Sequence, residues 1–122
     1  DPGTPVFWGQ FEASVTAREI ADRLSVALDR TPLVIGEGDV KSVAWCTGAG
    51  QGYIDLAADA GADVYVTGEV SEQTAHVALE RGIAFIGAGH HATERYGVQA
   101  VGSLAAEALG LSHEFIDIDN PA

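Results

Sequence analysis

Apolar positions along this chain follow two rhythms. Ile20, Leu24, Ala27 and Leu28 recur at intervals of three and four, which places them on one helix face. Thr16 and Glu19 ahead of them have the spacing of a capping box, and Val15 with Ile20 that of a hydrophobic staple. The second rhythm is a set of short, continuous apolar runs that read as buried strands: Leu33–Ile35, Val43–Cys46, Val64–Thr67 and Ile83–Ile86. A further strand is expected over Val6–Glu12, anchored by Phe7, Trp8 and Phe11, and a last one over Glu114–Ile118. Helical patterns occupy Gly52–Ala60, Ser71–Arg81 and His90–Leu109, the last with Val98, Val101, Leu104, Ala105 and Leu109 facing inward. Residues 1–5 read as a linker and Gly36–Asp39 as a turn.

Strands and helices alternating at this length predict an α/β fold: a mostly parallel or mixed sheet, helices on both faces, right-handed crossovers. By size, residues 1–122 fit one domain. In such a sheet the loops leaving the carboxyl ends of the parallel strands line a common crevice. Three of them carry unusual residues. Thr47-Gly48-Ala49-Gly50-Gln51-Gly52 either cradles an anion or makes a tight turn. Its glycines match neither the phosphate loop ending in Gly-Lys-Ser/Thr nor the Gly-x-Gly-x-x-Gly pattern. In Thr67-Gly68-Glu69-Val70-Ser71-Glu72, Glu69 is placed to transfer protons or to orient a ligand from behind, and Glu72 suits a helix start. Gln73 is either crevice lining or solvated.

The third loop, Gly87-Ala88-Gly89-His90-His91, leads into Ala92-Thr93-Glu94-Arg95. His90 and Glu94 are four apart and share a helix face. Imidazole with carboxylate suits zinc, iron or manganese. The positive end of the helix is expected to keep His90 neutral, the form that binds metal. Two donors are fewer than the three or four such sites use, so the chain is expected to hold part of a centre. His76 and His113 receive no role, Cys46 reads as a buried structural thiol, and Trp8 and Trp45 read as core.

Charge narrows the partners. Eighteen acidic residues against six basic give −12, a surface that repels phosphate backbones and argues against nucleic acid. One cysteine allows neither an internal disulfide nor a cysteine-rich zinc site. No run is long and apolar enough to span a bilayer and no signal peptide is visible, so no membrane association and a cytoplasmic location are expected. The chain contains no Met and begins Asp1-Pro2-Gly3, which reads as the interior of a longer polypeptide.

Gly89-His90-His91-Ala92-Thr93-Glu94-Arg95-Tyr96-Gly97 resembles the signature of the Nif-three-like family, whose bacterial members are often labelled type-two homologues of GTP cyclohydrolase I. Trp45–Gly52, Val66–Thr74 and Phe115–Pro121 fit the same pattern, in order and spacing, over nearly the whole chain. The resemblance implies one half, the carboxyl-terminal one, of an intertwined two-domain protein with two divalent metal ions in the cleft and a ring-shaped hexamer. It implies His90 and Glu94 as metal ligands and His91 as neighbouring lining; Glu69, from its place in the second loop, is the candidate catalytic group, in an acid/base role or behind a ligand. It further implies that the remaining ligands come from an amino-terminal half that is absent here, so the isolated fragment is expected to pair with that half or with another copy of itself. The function so implied is that of a metal-dependent hydrolase acting on a nucleotide such as GTP. The alternative is a non-catalytic metal-binding or interaction scaffold.

Overall fold

Apolar runs without alternation require cover on both faces of a sheet. The structure, a computed structural model describing residues 3–122, supplies it. Its elements are β1 (Phe7–Thr16), α1 (Ala17–Leu28), β2 (Leu33–Ile35), β3 (Asp39–Cys46), a 3₁₀ turn (Gln51–Tyr53), α2 (Ile54–Asp59), β4 (Val64–Thr67), α3 (Glu72–Arg81), β5 (Ala84–Gly87) and α4 (His90–Leu109). The sheet order is β1-β3-β4-β5-β2. The three central strands are parallel, and β1 and β2 join antiparallel at the edges. The sheet is therefore mixed. Cys46, Thr67 and Gly87 lie side by side at the carboxyl ends of the central strands, so their loops leave the sheet at one level.

Successive residues divide between the faces. Val64, Ala84 and Ile86 pack with Ala17, Ile20 and Ala21 of α1. Tyr65 and Phe85, both fully buried and 6.2 Å apart between ring centroids, pack with Ile54, Ala57 and Ala78 of α2 and α3. Full burial of each such ring contributes about 1.5–3 kcal/mol. The capping box forms as expected: the Thr16 hydroxyl accepts from the Glu19 amide at 3.1 Å, and the Glu19 carboxylate accepts from the Thr16 amide at 2.7 Å. The buried face of α1 runs through Ala17, Ile20, Ala21 and Leu28, and Ala27 is exposed.

Four expectations are corrected. Glu114–Ile118 forms no strand. The sheet already has both edges in β1 and β2, and this segment instead returns toward the start of α4, where Asp117 pairs with Arg95 and Ala122 accepts a hydrogen bond from the His91 amide. The apolar residues of α4 do not face inward: Val98, Val101, Leu104 and Leu109 are 60–70% exposed. With α1 on one face of the sheet and α2 and α3 on the other, α4 buries only Ala92, in its first turn, against Leu28 and Ala88. Trp8 and Trp45 are not core, at 48% and 39% exposure. Trp45 stacks with Phe7 and, with Ile20, Leu24, Leu28, Val43 and Val66, lines an apolar groove of about 300 Å³. Within the expected linker, Thr4 already forms a β-bridge, while residues 1–2 lie outside the described residues. No helix among the described residues is long and apolar enough to cross a membrane.

Candidate functional site

The three loops are joined by backbone hydrogen bonds. The Gly68 amide donates to the Gly48 carbonyl, and the Gly89 amide to the Gly68 carbonyl, each at 3.0 Å. Such close approach leaves no room for side chains. A Cβ on Gly68 would lie 2.6 Å from the Gly48 carbonyl oxygen and 2.8 Å from the His90 Cα. Gly48 has a φ of +64°, and a Cβ there would overlap the Glu94 carboxylate. The first loop is thus a tight turn over the site, pinned from β4. The Thr67 hydroxyl accepts from the Gly50 amide and donates to the Gly48 carbonyl, while the Tyr65 hydroxyl donates to the Gly50 carbonyl at 2.7 Å. Both side chains are buried, so little solvent competes for these bonds. Burial also pushes the Tyr65 phenol well above its ordinary range, keeping it a neutral donor.

His90, Glu94 and Glu69 come together. His90 Nε2 lies 3.0 Å from Glu94 Oε2, one helical turn along α4. His90 Nδ1 lies 2.5 Å from Glu69 Oε1 in the second loop. The other Glu69 oxygen accepts from Gln51 Nε2 at 3.2 Å. The Glu69 hydrogen bond, aided by the charges of Glu94 and Glu69, holds the His90 pKa above its ordinary value against the opposing effect of burial. The two carboxylates thus act on the His90 imidazole in the opposite direction to the helix terminus, which disfavours its charged form. Thr93 ties the helix to the first loop, accepting from the Gly48 amide at 3.0 Å and donating to the Gly89 carbonyl at 2.8 Å.

The start of α4 is fastened to the end of α1. Arg95 donates to the Leu28 carbonyl at 2.7 Å, and the Tyr96 hydroxyl donates to the Ala27 carbonyl at 2.6 Å, satisfying carbonyls that a helix end leaves unpaired. A depression of about 530 Å³ beside His90 and Glu94 is lined by Arg95, Val98 and the returning segment from Phe115 to Ala122.

Other sequence candidates fall elsewhere. His91 lies 3.5 Å from Asp117 and borders that depression. His76 and Glu72 form an exposed contact on α3, and Gln73 is exposed. His113 packs against Gly102 of α4. Cys46 is buried and its pKa is raised by burial, as for a structural thiol. Sequence reading missed Gln51, Tyr65, Thr67 and Thr93. Only Gln51 carried a signal, as the one long polar residue in the first glycine loop.

Comparison with known proteins agrees with the motif pattern. The family described as Duf34/NIF3 (NGG1p interacting factor 3) matches residues 5–121. Among curated relatives, a "GTP cyclohydrolase 1 type 2 homolog" of Haemophilus influenzae is 49% identical over 94% of this chain and 47% of its own length. One of the same name from Pseudomonas aeruginosa is 50% identical over 100% of this chain and 50% of its own. Among solved structures, protein ybgI, described as of unknown function, superposes with a TM-score of 0.91 at 48% identity, covering 97% of this chain and 49% of that one. The chain spans about half the length of the curated relatives it matches. By matching nearly its whole length to the family pattern, the chain belongs to the Duf34/NIF3 family.

Proposed function

We propose that this chain supplies part of a divalent-metal centre, with His90 and Glu94 as donors, in a metal-dependent hydrolase. The observation that carries the reading is the His90 imidazole. Its Nε2 and the Glu94 carboxylate converge at 3.0 Å, and Glu69 holds the opposite ring nitrogen. An imidazole backed by a carboxylate is a common arrangement for a metal-ligating histidine. The donor set fits zinc, iron or manganese. It is incomplete here: among the described residues, no group of three or more His, Cys, Asp or Glu could hold an ion. Glu69 does not make up the number, because it binds the ring edge that points away from Glu94. The missing donors are assigned to an amino-terminal half or another copy of the chain, in a site that takes two ions.

A divalent ion held by His90 and Glu94 would lower the pKa of a bound water toward neutrality and would itself polarise the substrate. The chain's own residues bind and orient. His90 and Glu94 present their free atoms on one helix face, and the glycine turn at Gly48 closes over them. Glu69 is committed on one oxygen to His90 and on the other to Gln51, so orienting the imidazole suits it better than proton transfer. The relatives' name suggests a purine nucleotide such as GTP as substrate, with hydrolytic opening of its ring.

A second reading, a non-catalytic metal-binding or interaction scaffold, is favoured by the exposed apolar residues of α4 and the apolar groove at Trp45. Both suit burial against the other half or a second copy, as in a ring-shaped oligomer. Elemental analysis of this chain, alone and mixed with an amino-terminal half, tests the metal centre. Near-stoichiometric metal that is lost on His90→Ala is expected, and no metal in either sample refutes it. Metal-loaded full-length protein that hydrolyses GTP, with loss on Glu94→Gln, supports the hydrolase. Metal binding without turnover across nucleotide substrates leaves the scaffold.

A further inference from the structure

Gln51 has no place in the reading so far beyond its contact with Glu69. It follows the tightest part of the first loop, where the preceding residue is held at both its amide and its carbonyl by the buried Thr67 and Tyr65 side chains. A Cβ on Gly50 would lie 2.6 Å from the Thr67 hydroxyl oxygen and 2.9 Å from Cys46, so the backbone here cannot shift without disturbing β4. From this anchored position Gln51 Nε2 reaches Glu69 Oε2 at 3.2 Å, and Glu69 Oε1 meets His90 Nδ1 at 2.5 Å. The amide oxygen of Gln51 is buried and has no hydrogen-bond partner. Leaving a buried acceptor unpaired opposes folding, and such groups call for an explanation. Orientation of the amide toward Glu69 is that explanation. Turning the amide over would place its oxygen against a carboxylate, which can only accept.

We infer that Gln51 is a positioning residue that, by donating to Glu69, sets the rotation of the carboxylate that holds His90 Nδ1–H and so aims Nε2 at the face shared with Glu94. This rests on the metal-centre reading for its purpose, but the geometry it predicts exists without metal. An ionised carboxylate accepts from Nδ1–H, which leaves Nε2 as the ligating nitrogen. A glutamate has free rotation about its last bond, so one hydrogen bond to His90 alone does not fix its plane. The second bond, from a side chain on a rigid turn, does. The chain Gln51–Glu69–His90 runs from the first loop through the second to the third. It is therefore available only in the folded arrangement.

The test uses the full chain labelled with [¹⁵N]histidine; its four histidines keep the spectrum simple. The first readout, without metal, is the Nδ1–H proton of His90, assigned by its loss in His90→Asn. The second is zinc affinity, from competition with a chromophoric chelator. Gln51→Met and Gln51→Glu are compared with the parent, the first removing the donor and the second placing a carboxylate against Glu69. Both are expected to lose or broaden the Nδ1–H resonance while the other histidine signals stay in place, and to weaken zinc binding by about 10–100-fold. An unchanged resonance in either folded variant overturns the inference. So does a lost resonance with unchanged affinity in a parent that binds zinc. If the parent chain binds no zinc but the resonance disappears in both variants, the positioning role of Gln51 stands, and the metal reading is decided separately by the mixture with an amino-terminal half.

Discussion

Replacing Gly68 with alanine tests whether the three loops are as tightly joined as the structure has them. The new methyl carbon would lie 2.6 Å from the Gly48 carbonyl oxygen, 2.8 Å from the His90 Cα and 2.9 Å from the Thr93 hydroxyl oxygen. The first two are backbone atoms, so no rotamer change relieves them. Gly68 does not have a left-handed φ, and alanine meets no strain of its own there. The cost is therefore overpacking, about 1–3 kcal/mol, with about 0.4–1 kcal/mol recovered through the stiffer unfolded chain. A net loss of about 1–2 kcal/mol is expected, which corresponds to roughly 4–8 °C in Tm for a domain near this size. The natural control is Gly97→Ala. Gly97 is inside α4, and a Cβ there meets nothing within 4 Å. That change is expected to stabilise by about 0.5–1 kcal/mol through helix propensity alone. Urea unfolding followed by circular dichroism, with the m-value checked for constancy, measures both. A Gly68→Ala protein as stable as its parent, beside a normal Gly97→Ala control, would refute the close junction of Gly48, Gly68 and His90.

Two further substitutions probe the supports of the site. Thr67→Val keeps the volume but removes the hydroxyl between the Gly48 carbonyl and the Gly50 amide; a loss of about 1–2 kcal/mol in urea unfolding is expected, and no loss would show that the turn holds without it. Asp63 accepts from the Lys41 and Ser42 amides and the Ser42 hydroxyl; burial opposes its charge, but these bonds prevail and hold its pKa below the ordinary value. Its stabilisation is thus present above the unfolded-state pKa of about 4 and is lost as pH falls through the lower folded value. Asp63→Ala is expected to cost about 1 kcal/mol at pH 7, a modest figure because the group is solvent-exposed, and progressively less below about pH 4. A difference between the two proteins that grows on acidification would contradict this sign.

What the sequence determined by itself is local. The capping box at Thr16 and Glu19 needs only residues three apart, and it forms as its spacing predicts. The strand Val64–Thr67 and the helix His90–Leu109 appear with the bounds their patterns suggest, because run length and glycine punctuation are properties of short segments. The proximity of His90 and Glu94 is likewise legible, since four residues on a helix make one turn. Apolar character, by contrast, states that a residue favours burial but not against what. The sequence reading therefore turned Val98, Val101, Leu104 and Leu109 inward, whereas the structure leaves them exposed because both sheet faces are taken by other helices. The expected last strand failed for a related reason, as both edges of the sheet already belonged to β1 and β2. The carboxylate beside His90 Nδ1 was also beyond local reading. A helix end can be seen in the sequence, but the Glu69 carboxylate that meets the imidazole is 21 residues away and arrives only because β4 and β5 end at the same level. Gln51, Thr67 and Thr93 have roles in the site for the same reason: parallel pairing brings three distant loops to one edge, where hydrogen bonds too short-ranged to be encoded by spacing can form.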